Sequence, residues 1–217
     1  APSIARWLES QGVDFHWRTA ASGFEPGLVH TSRGPIRTET TFIAVNYDID
    51  RLFPGLAERD GLLRCRLHMI RARLPLAFTL AAPLFTGWSL LRYAGFEDLP
   101  SVAAVARRLQ DEHPDAVDID LHLMFTPQPD GSLLIGDTHI RDVAAAPFQS
   151  EQGFDILLDQ TRKLFGVNDI DVSERWQGVY CSAPAQEFLI EEPVDRTHVV
   201  TVTTGIGMTT GLGLAAA

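Results

Sequence analysis

Lysine is almost missing from this chain. Lys163 is the single lysine among 18 basic residues, and 28 acidic residues leave a formal net charge of -10. Binding along a phosphate backbone needs clustered lysine and arginine, so a nucleic-acid partner is not expected. Cysteine is equally sparse. Cys65 and Cys181 stand far apart with no metal-ligand spacing, which predicts two buried thiols in a reducing, cytoplasmic setting. No apolar run reaches the roughly 18 residues of a membrane span, and no charged-then-apolar leader opens the chain. The seven histidines form no HxxxH or HxH pair, so spacing predicts no metal site. What remains is ordinary in composition. The 217 residues, 45% hydrophobic and 21% charged, suffice for one large domain or two interleaved subdomains. The chain opens on Ala1 without methionine and closes on Ala217 inside an apolar run, which predicts a piece of a longer protein.

Periodicity supplies the elements. Ile4, Trp7 and Leu8 fall at helical spacing, with Ser3 as N-cap and Gly12 past the end. Val13–Trp17 alternates like a strand. "LVHTSRGPIRTETTFIAVN" reads as a hairpin turning at Arg33–Gly34, then a buried strand over Thr41–Val45; Gly55 to Gly61 reads as loop. "LLRCRLHMIRARL" (Leu62–Leu74) alternates Leu63, Cys65, Leu67 and Met69 on one face with Arg64, Arg66, His68 and Ile70 on the other. The second face is the one expected to meet solvent or carry chemistry. "WSLLRYAGF" (Trp88–Phe96) reads as another strand, and Ser101 as the cap of a helix. Two strands flank the turn Pro129-Asp130-Gly131, Ser150 starts a helix stopped by Gly166, and "ERWQGVYCSAP" adds a further strand. Long antiparallel strands, few helices and no regular βαβ alternation define an α+β fold.

The last 19 residues, "VVTVTTGIGMTTGLGLAAA", pass from strand to glycine turn to nascent helix. Gly205, Gly207, Gly211 and Gly213 miss the dinucleotide fingerprint, because Thr210 stands where its third glycine belongs. Two readings stay open. The glycines cap a helix for close packing, or the backbone N–H groups of Ile206–Thr210 meet an anionic, electron-rich cofactor edge.

The ordered set "RCRLHMIR", "LLRYAGF", "DGSLLIGDTHI", "RWQGVY" and "TTGIGMTTGLGLA" resembles the C-terminal part of FAD-dependent oxidoreductases of the D-amino-acid-oxidase type. Within them it is most similar to a subgroup proposed to oxidise aminophosphonates or related amines. The resemblance implies an antiparallel substrate-domain sheet flanked by parts of an FAD-binding, Rossmann-like layer whose N-terminal βαβ unit is absent. It divides the chain into residues 1–50 (part of the FAD-binding domain), 51–172 (substrate domain) and 173–217 (return strands and closing flavin motif). It implies FAD as cofactor, a small amine as substrate, hydride transfer to the flavin to give an imine, and O₂ or another electron acceptor. No catalytic side chain is required, since the cofactor carries the chemistry. The isolated piece is expected to be inactive or poorly loaded with cofactor.

By the same resemblance Gly205, Ile206, Gly207, Met208 and Thr209 contact the flavin ring. Asn46 stands where many relatives have a glycine, and asparagine tolerates the left-handed backbone better than other non-glycine residues. His68 occupies the place of a common glutamine on the strand expected to face the flavin; the plain alternative is a hydrogen-bonded strand histidine. Arg66, Arg92, Tyr93 and His139 complete the substrate candidates, an inward arginine being able to fork onto a carboxylate or phosphonate. Relatives acting on α-amino acids carry an arginine two residues after the tryptophan-glycine motif's glycine, and here Tyr180 stands in its place. A plain D-amino acid is therefore disfavoured, with strand packing the alternative role for Tyr180. A non-catalytic module gripping a small anion or a protein, and a free-standing α+β domain, are the competing functions.

Overall fold

The computed structural model describes residues 2–216. Its helices are α1 (Pro2–Ser10), α2 (Ile49–Leu52), α3 (Pro54–Arg59), α4 (Gly87–Leu90), α5 (Pro100–Glu112), α6 (Pro114–Asp118), α7 (Glu151–Phe165) and α8 (Gly207–Ala216). The strands are β1 (Ala21–Glu25), β2 (Leu28–Thr31), β3 (Ile36–Arg37), β4 (Thr41–Ile43), β5 (Leu63–Arg73), β6 (Leu84–Phe85), β7 (Met124–Pro127), β8 (Leu133–Gly136), β9 (Ile140–Asp142), β10 (Asp171–Ser182), β11 (Phe188–Val194) and β12 (Thr197–Val202). They form three sheets: β1-β2-β3, a six-stranded sheet ordered β10-β5-β8-β7-β6 with β9 also on β5, and β11-β12-β4.

The β5–β10 pair is the spine. It runs antiparallel from Asp171↔Arg73 to Ser182↔Leu63, with Tyr180 opposite Cys65 and Gln177 opposite His68. β8 and β9 share the other edge of β5, pairing Ile70↔Ile135 and Cys65↔Arg141. Because side chains alternate across a strand, even-numbered β5 residues lie on one face and odd-numbered ones on the other. The even face takes α7. That helix starts at Ser150, whose side chain accepts from the Gln152 N–H, and stops at Gly166 in the left-handed conformation. Ile70, Phe125, Ile135 and Leu157 are fully buried between α7 and the sheet. Each such burial contributes about 1.5–3 kcal/mol. A smaller core of Ile43, Ile49, Leu56, Leu189 and Val199 lies under the third sheet, where β4 pairs parallel to β12. The first and last parts of the chain thus share a sheet.

Several elements differ from the sequence expectation. Trp88–Phe96 is not a strand: α4 and a short 3-10 turn at Ala94–Phe96 replace it, so that Trp88 enters the main core while Arg92 and Tyr93 turn away from it. A run this short has no period that separates helix from strand. Gly55 to Gly61 is mostly α3, started by Pro54 at its first position. Val13–Trp17 forms no strand, and α5 begins at Pro100, ahead of Ser101. The Arg33–Gly34 turn joins β2 to β3, and a further strand, β1, pairs with β2. Only Ile43 of the Thr41–Val45 segment is buried.

Candidate functional site

The site grows from the odd face of β5. Cys65 lies there opposite Tyr180, whose ring packs beneath the last glycine turn. A Cβ added to Gly205 would sit 3.0 Å from Tyr180 Cζ, and Gly205 has φ +82°, so both space and backbone demand glycine there. Arg92, projecting from the segment after α4, donates from Nη2 to the Tyr180 hydroxyl at 2.5 Å and to the Thr204 carbonyl at 3.3 Å. One guanidinium thus ties β10 to the strand-to-turn joint before α8. Burial, then the neighbouring Cys65 thiol, pushes the Tyr180 phenol well above its usual range, so it stays protonated. Burial likewise raises Cys65 and Tyr93.

A second polar group adjoins Tyr180. The β8–β9 link alternates Asp137, Thr138, His139. Thr138 points back to the even face, where it meets His68; Asp137 and His139 point to the odd face. The His139 ring lies 6.2 Å from that of Tyr180, and the His122 ring lies 5.3 Å from that of Tyr93. His122 and Asp137 exchange both backbone hydrogen bonds at 2.8 Å, which puts their side chains together, with His122 Nδ1 3.2 Å from Asp137 Oδ1. Burial holds the His139 imidazole below its usual range, against the pull of Asp137. An apolar cavity of about 470 Å³, lined by Phe85, Leu90, Tyr93 and Phe96 among others, opens beside this group.

The structure therefore brings Arg92, Tyr93, His139, Tyr180 and Gly205 together, and separates them from His68 and Arg66. His68 occupies the even face under α7. Its Nε2 donates to the Ser150 carbonyl at 3.1 Å and its Nδ1 accepts from the Thr138 hydroxyl at 2.6 Å; Phe154 packs edge-on to its ring. Every polar atom of the ring is used, and burial keeps it neutral by lowering its pKa. Arg66 donates to the Phe148 carbonyl on the same side. The face expected to carry chemistry is thus the α7 core, and the face carrying polar groups is the other one. Sequence reasoning also missed His122 and Asp137. The available signal was the pair Asp137-x-His139, two residues of one strand face, with the hairpin register that sets His122 against Asp137.

Asn46 has φ +55°, and its side-chain oxygen accepts from the Cys181 N–H at 2.5 Å. The left-handed turn is kept without glycine, and the asparagine fastens it to β10. Gly205 to Thr209 form a low, open rim. Gly207 starts α8, Met208 is fully exposed, and no described residue of α8 is buried although the helix is almost wholly apolar. The Thr209 and Thr210 N–H groups donate to the Ile206 carbonyl at 3.0 and 3.1 Å, so of the expected N–H groups only those ahead of them can face a ligand. A rim without side chains at 205 and 207, beside such donors and next to the Tyr180 ring, fits one edge of a flavin. Gly205, Ile206, Gly207, Met208 and Thr209 are the residues that could hold it.

Among the described residues no helix is long and apolar enough to cross a membrane. The family described as FAD dependent oxidoreductase (DAO) matches residues 1–217. Among curated proteins nothing matches this chain. Solved structures share its fold. L-proline dehydrogenase from P. horikoshii superposes with a TM-score of 0.72 at 12% identity, over 98% of this chain and 51% of that one. Glycine oxidase from Geobacillus kaustophilus gives 0.66 at 16% identity, over 99% and 51%. Iminodiacetate oxidase from Chelativorans sp. gives 0.65 at 13% identity, over 97% and 50%. The chain spans about half the length of these structures.

Proposed function

The chain belongs to the FAD dependent oxidoreductase family, and from that premise we propose that it forms the substrate side of a flavoenzyme oxidising a small amine, an aminophosphonate in particular, to an imine. When bound, the flavin supplies the two-electron acceptor that takes hydride from the carbon beside the nitrogen. The residues of this chain bind and orient. The observation carrying the reading is the convergence of Arg92, Tyr180 and the Gly205 turn, all within one hydrogen-bonded unit.

Arg92 spends only Nη2 on Tyr180 and Thr204, and a guanidinium has five N–H donors in a fixed fork. The remaining donors suit a doubly charged phosphonate placed over the odd face of β5. Tyr180 orients Arg92 rather than pairing with a carboxylate, which favours an aminophosphonate over a plain D-amino acid. Tyr93, whose phenol pKa burial raises, lines the apolar cavity with Phe85, Leu90 and Phe96, an apolar surface for the carbon skeleton. On this reading residues 1–50 and 173–217 contribute to the FAD-binding side and 51–172 to the substrate side. The β4–β12 pairing, which joins the two ends of the chain, supports that division.

The test uses the protein that carries this chain. It is expected to be yellow as purified, or to become so on reconstitution with FAD, and to bleach without oxygen on addition of an aminoalkylphosphonate. Fast turnover of D-alanine with none of aminoalkylphosphonates would overturn the substrate class. Colourless protein that takes up no flavin would overturn the flavoenzyme and favour a non-catalytic anion- or protein-binding module.

A further inference from the structure

We propose that His122, Asp137 and His139 form a binding site for a divalent first-row transition-metal ion, beside the substrate face and independent of the flavin. One ligand atom from each of the three buried residues lies within 4.8 Å of the others. All three side chains are more than nine-tenths buried, so water does not solvate them.

The donor atoms are aimed before any ion arrives. His122 and Asp137 are locked by their mutual backbone hydrogen bonds, and the His139 N–H donates to the Ile119 carbonyl at 3.0 Å. His139 Nδ1 lies 2.9 Å from the Asp120 carbonyl, which accepts but cannot donate, so Nδ1 carries the hydrogen. With the hydrogen on Nδ1, Nε2 is the nitrogen left to ligate, and it faces Asp137 Oδ2, 3.8 Å away. That separation is too long for a hydrogen bond. A lone pair facing a buried carboxylate repels it, and Asp137 Oδ1, although 3.2 Å from His122 Nδ1, makes no hydrogen bond. A cation held by all three residues removes both defects. A backbone carbonyl holding the far nitrogen of a ligating histidine is also the usual outer support of a metal site.

Two imidazoles and one carboxylate suit Zn²⁺ or Fe²⁺ over Mg²⁺ or Ca²⁺, and three protein ligands leave a position open to water or an anionic oxygen. No HxxxH or HxH spacing announces the site, because His122 arrives from the opposite side of a hairpin.

The experiment treats the purified protein with chelator, removes it, and titrates Zn²⁺ by calorimetry alongside the Asp137→Asn/His139→Ala double variant. One equivalent per chain is expected, weakened by about 100-fold or more in the variant, beyond what loss of an outer support costs. Zinc-edge X-ray absorption on the unaltered protein, which needs no variant to fold, should show two imidazoles, the carboxylate oxygen and one further oxygen at about 2.0–2.2 Å. Absence of stoichiometric binding, sulfur in the zinc shell, or equal binding by a folded double variant would overturn the site. Flavin content is measured on the same samples; Zn²⁺ binding without flavin leaves this site standing while the flavoenzyme reading fails.

Discussion

The two faces of the β5–β10 pair solve the same packing problem with opposite results. Each holds an aromatic ring against a glycine: His68 against Gly153 of α7 on one face, Tyr180 against Gly205 on the other. On the α7 face the ring has a partner at each nitrogen, and a helix seals it. On the other face Thr204 Oγ1, Asp137 Oδ1 and His122 Nε2 lack hydrogen-bond partners, as Arg66 Nε and Gln177 Oε1 do on the α7 face. The difference lies in the cover: a helix closes one face, and an exposed glycine turn borders the other.

The largest effect expected from breaking this contrast comes from the two glycines. In Gly153→Ala the new methyl would stand 2.6 Å from His68 Nε2, and overpacking of this kind costs about 1–3 kcal/mol. Denaturant unfolding should show that loss with flavin affinity unchanged in the folded protein. Gly205→Ala combines a left-handed backbone with a methyl 3.0 Å from the Tyr180 ring, costs about 1–3 kcal/mol of local strain, and should weaken flavin binding about tenfold or more. Next comes Asn46→Ala, which leaves the Cys181 N–H without its acceptor. A loss of about 1–3 kcal/mol is expected by thermal unfolding, with Asn46→Gly recovering only the backbone share. Tyr180→Phe removes the bond to the Arg92 guanidinium and should cost about 1.5–3 kcal/mol in stability. In the intact flavoenzyme it should raise KM for the anionic amine more than it lowers kcat.

The smallest effect is a pH slope that His68 shares with His139 on the other face, since burial lowers both imidazoles. Burial lowers the folded pKa of His68 below its unfolded value of about 6.5. The unfolded chain then takes a proton that the folded one refuses. Stability from this residue is present above about pH 6.5 and is lost as pH falls through the folded value. Unfolding midpoints measured between pH 7.5 and 5 should show this decline, and His68→Gln should reduce it to the share carried by His139. An unchanged slope in that variant would assign the decline to another group.

The elements legible in the sequence were those with sustained period or strong punctuation. β5 and β10 show long alternation, α7 has a serine cap and a glycine stop, and the β7–β8 hairpin has Pro-Asp-Gly. Short apolar segments carry no such signal, so α3 and α4 were misread. Of the residues singled out from the sequence, Arg92, Tyr93, His139, Tyr180 and Gly205 lie together. What alternation alone could not decide is which face of β5 receives α7. A helix that arrives some 80 residues later makes His68 and Arg66 interior and leaves the Cys65 side to the polar groups. His122 and Asp137 escaped for a similar reason, since their adjacency is a product of strand register.

The central claim is that flavin meets the Tyr180 face and not the His68 face. Its most direct test is FAD titration, followed by visible absorbance, of the protein that carries this chain and of folded Tyr180→Ala and His68→Gln variants. A shifted flavin band and weakened binding for Tyr180→Ala, with an unaltered spectrum for His68→Gln, is the predicted result; the reverse pattern would contradict the account.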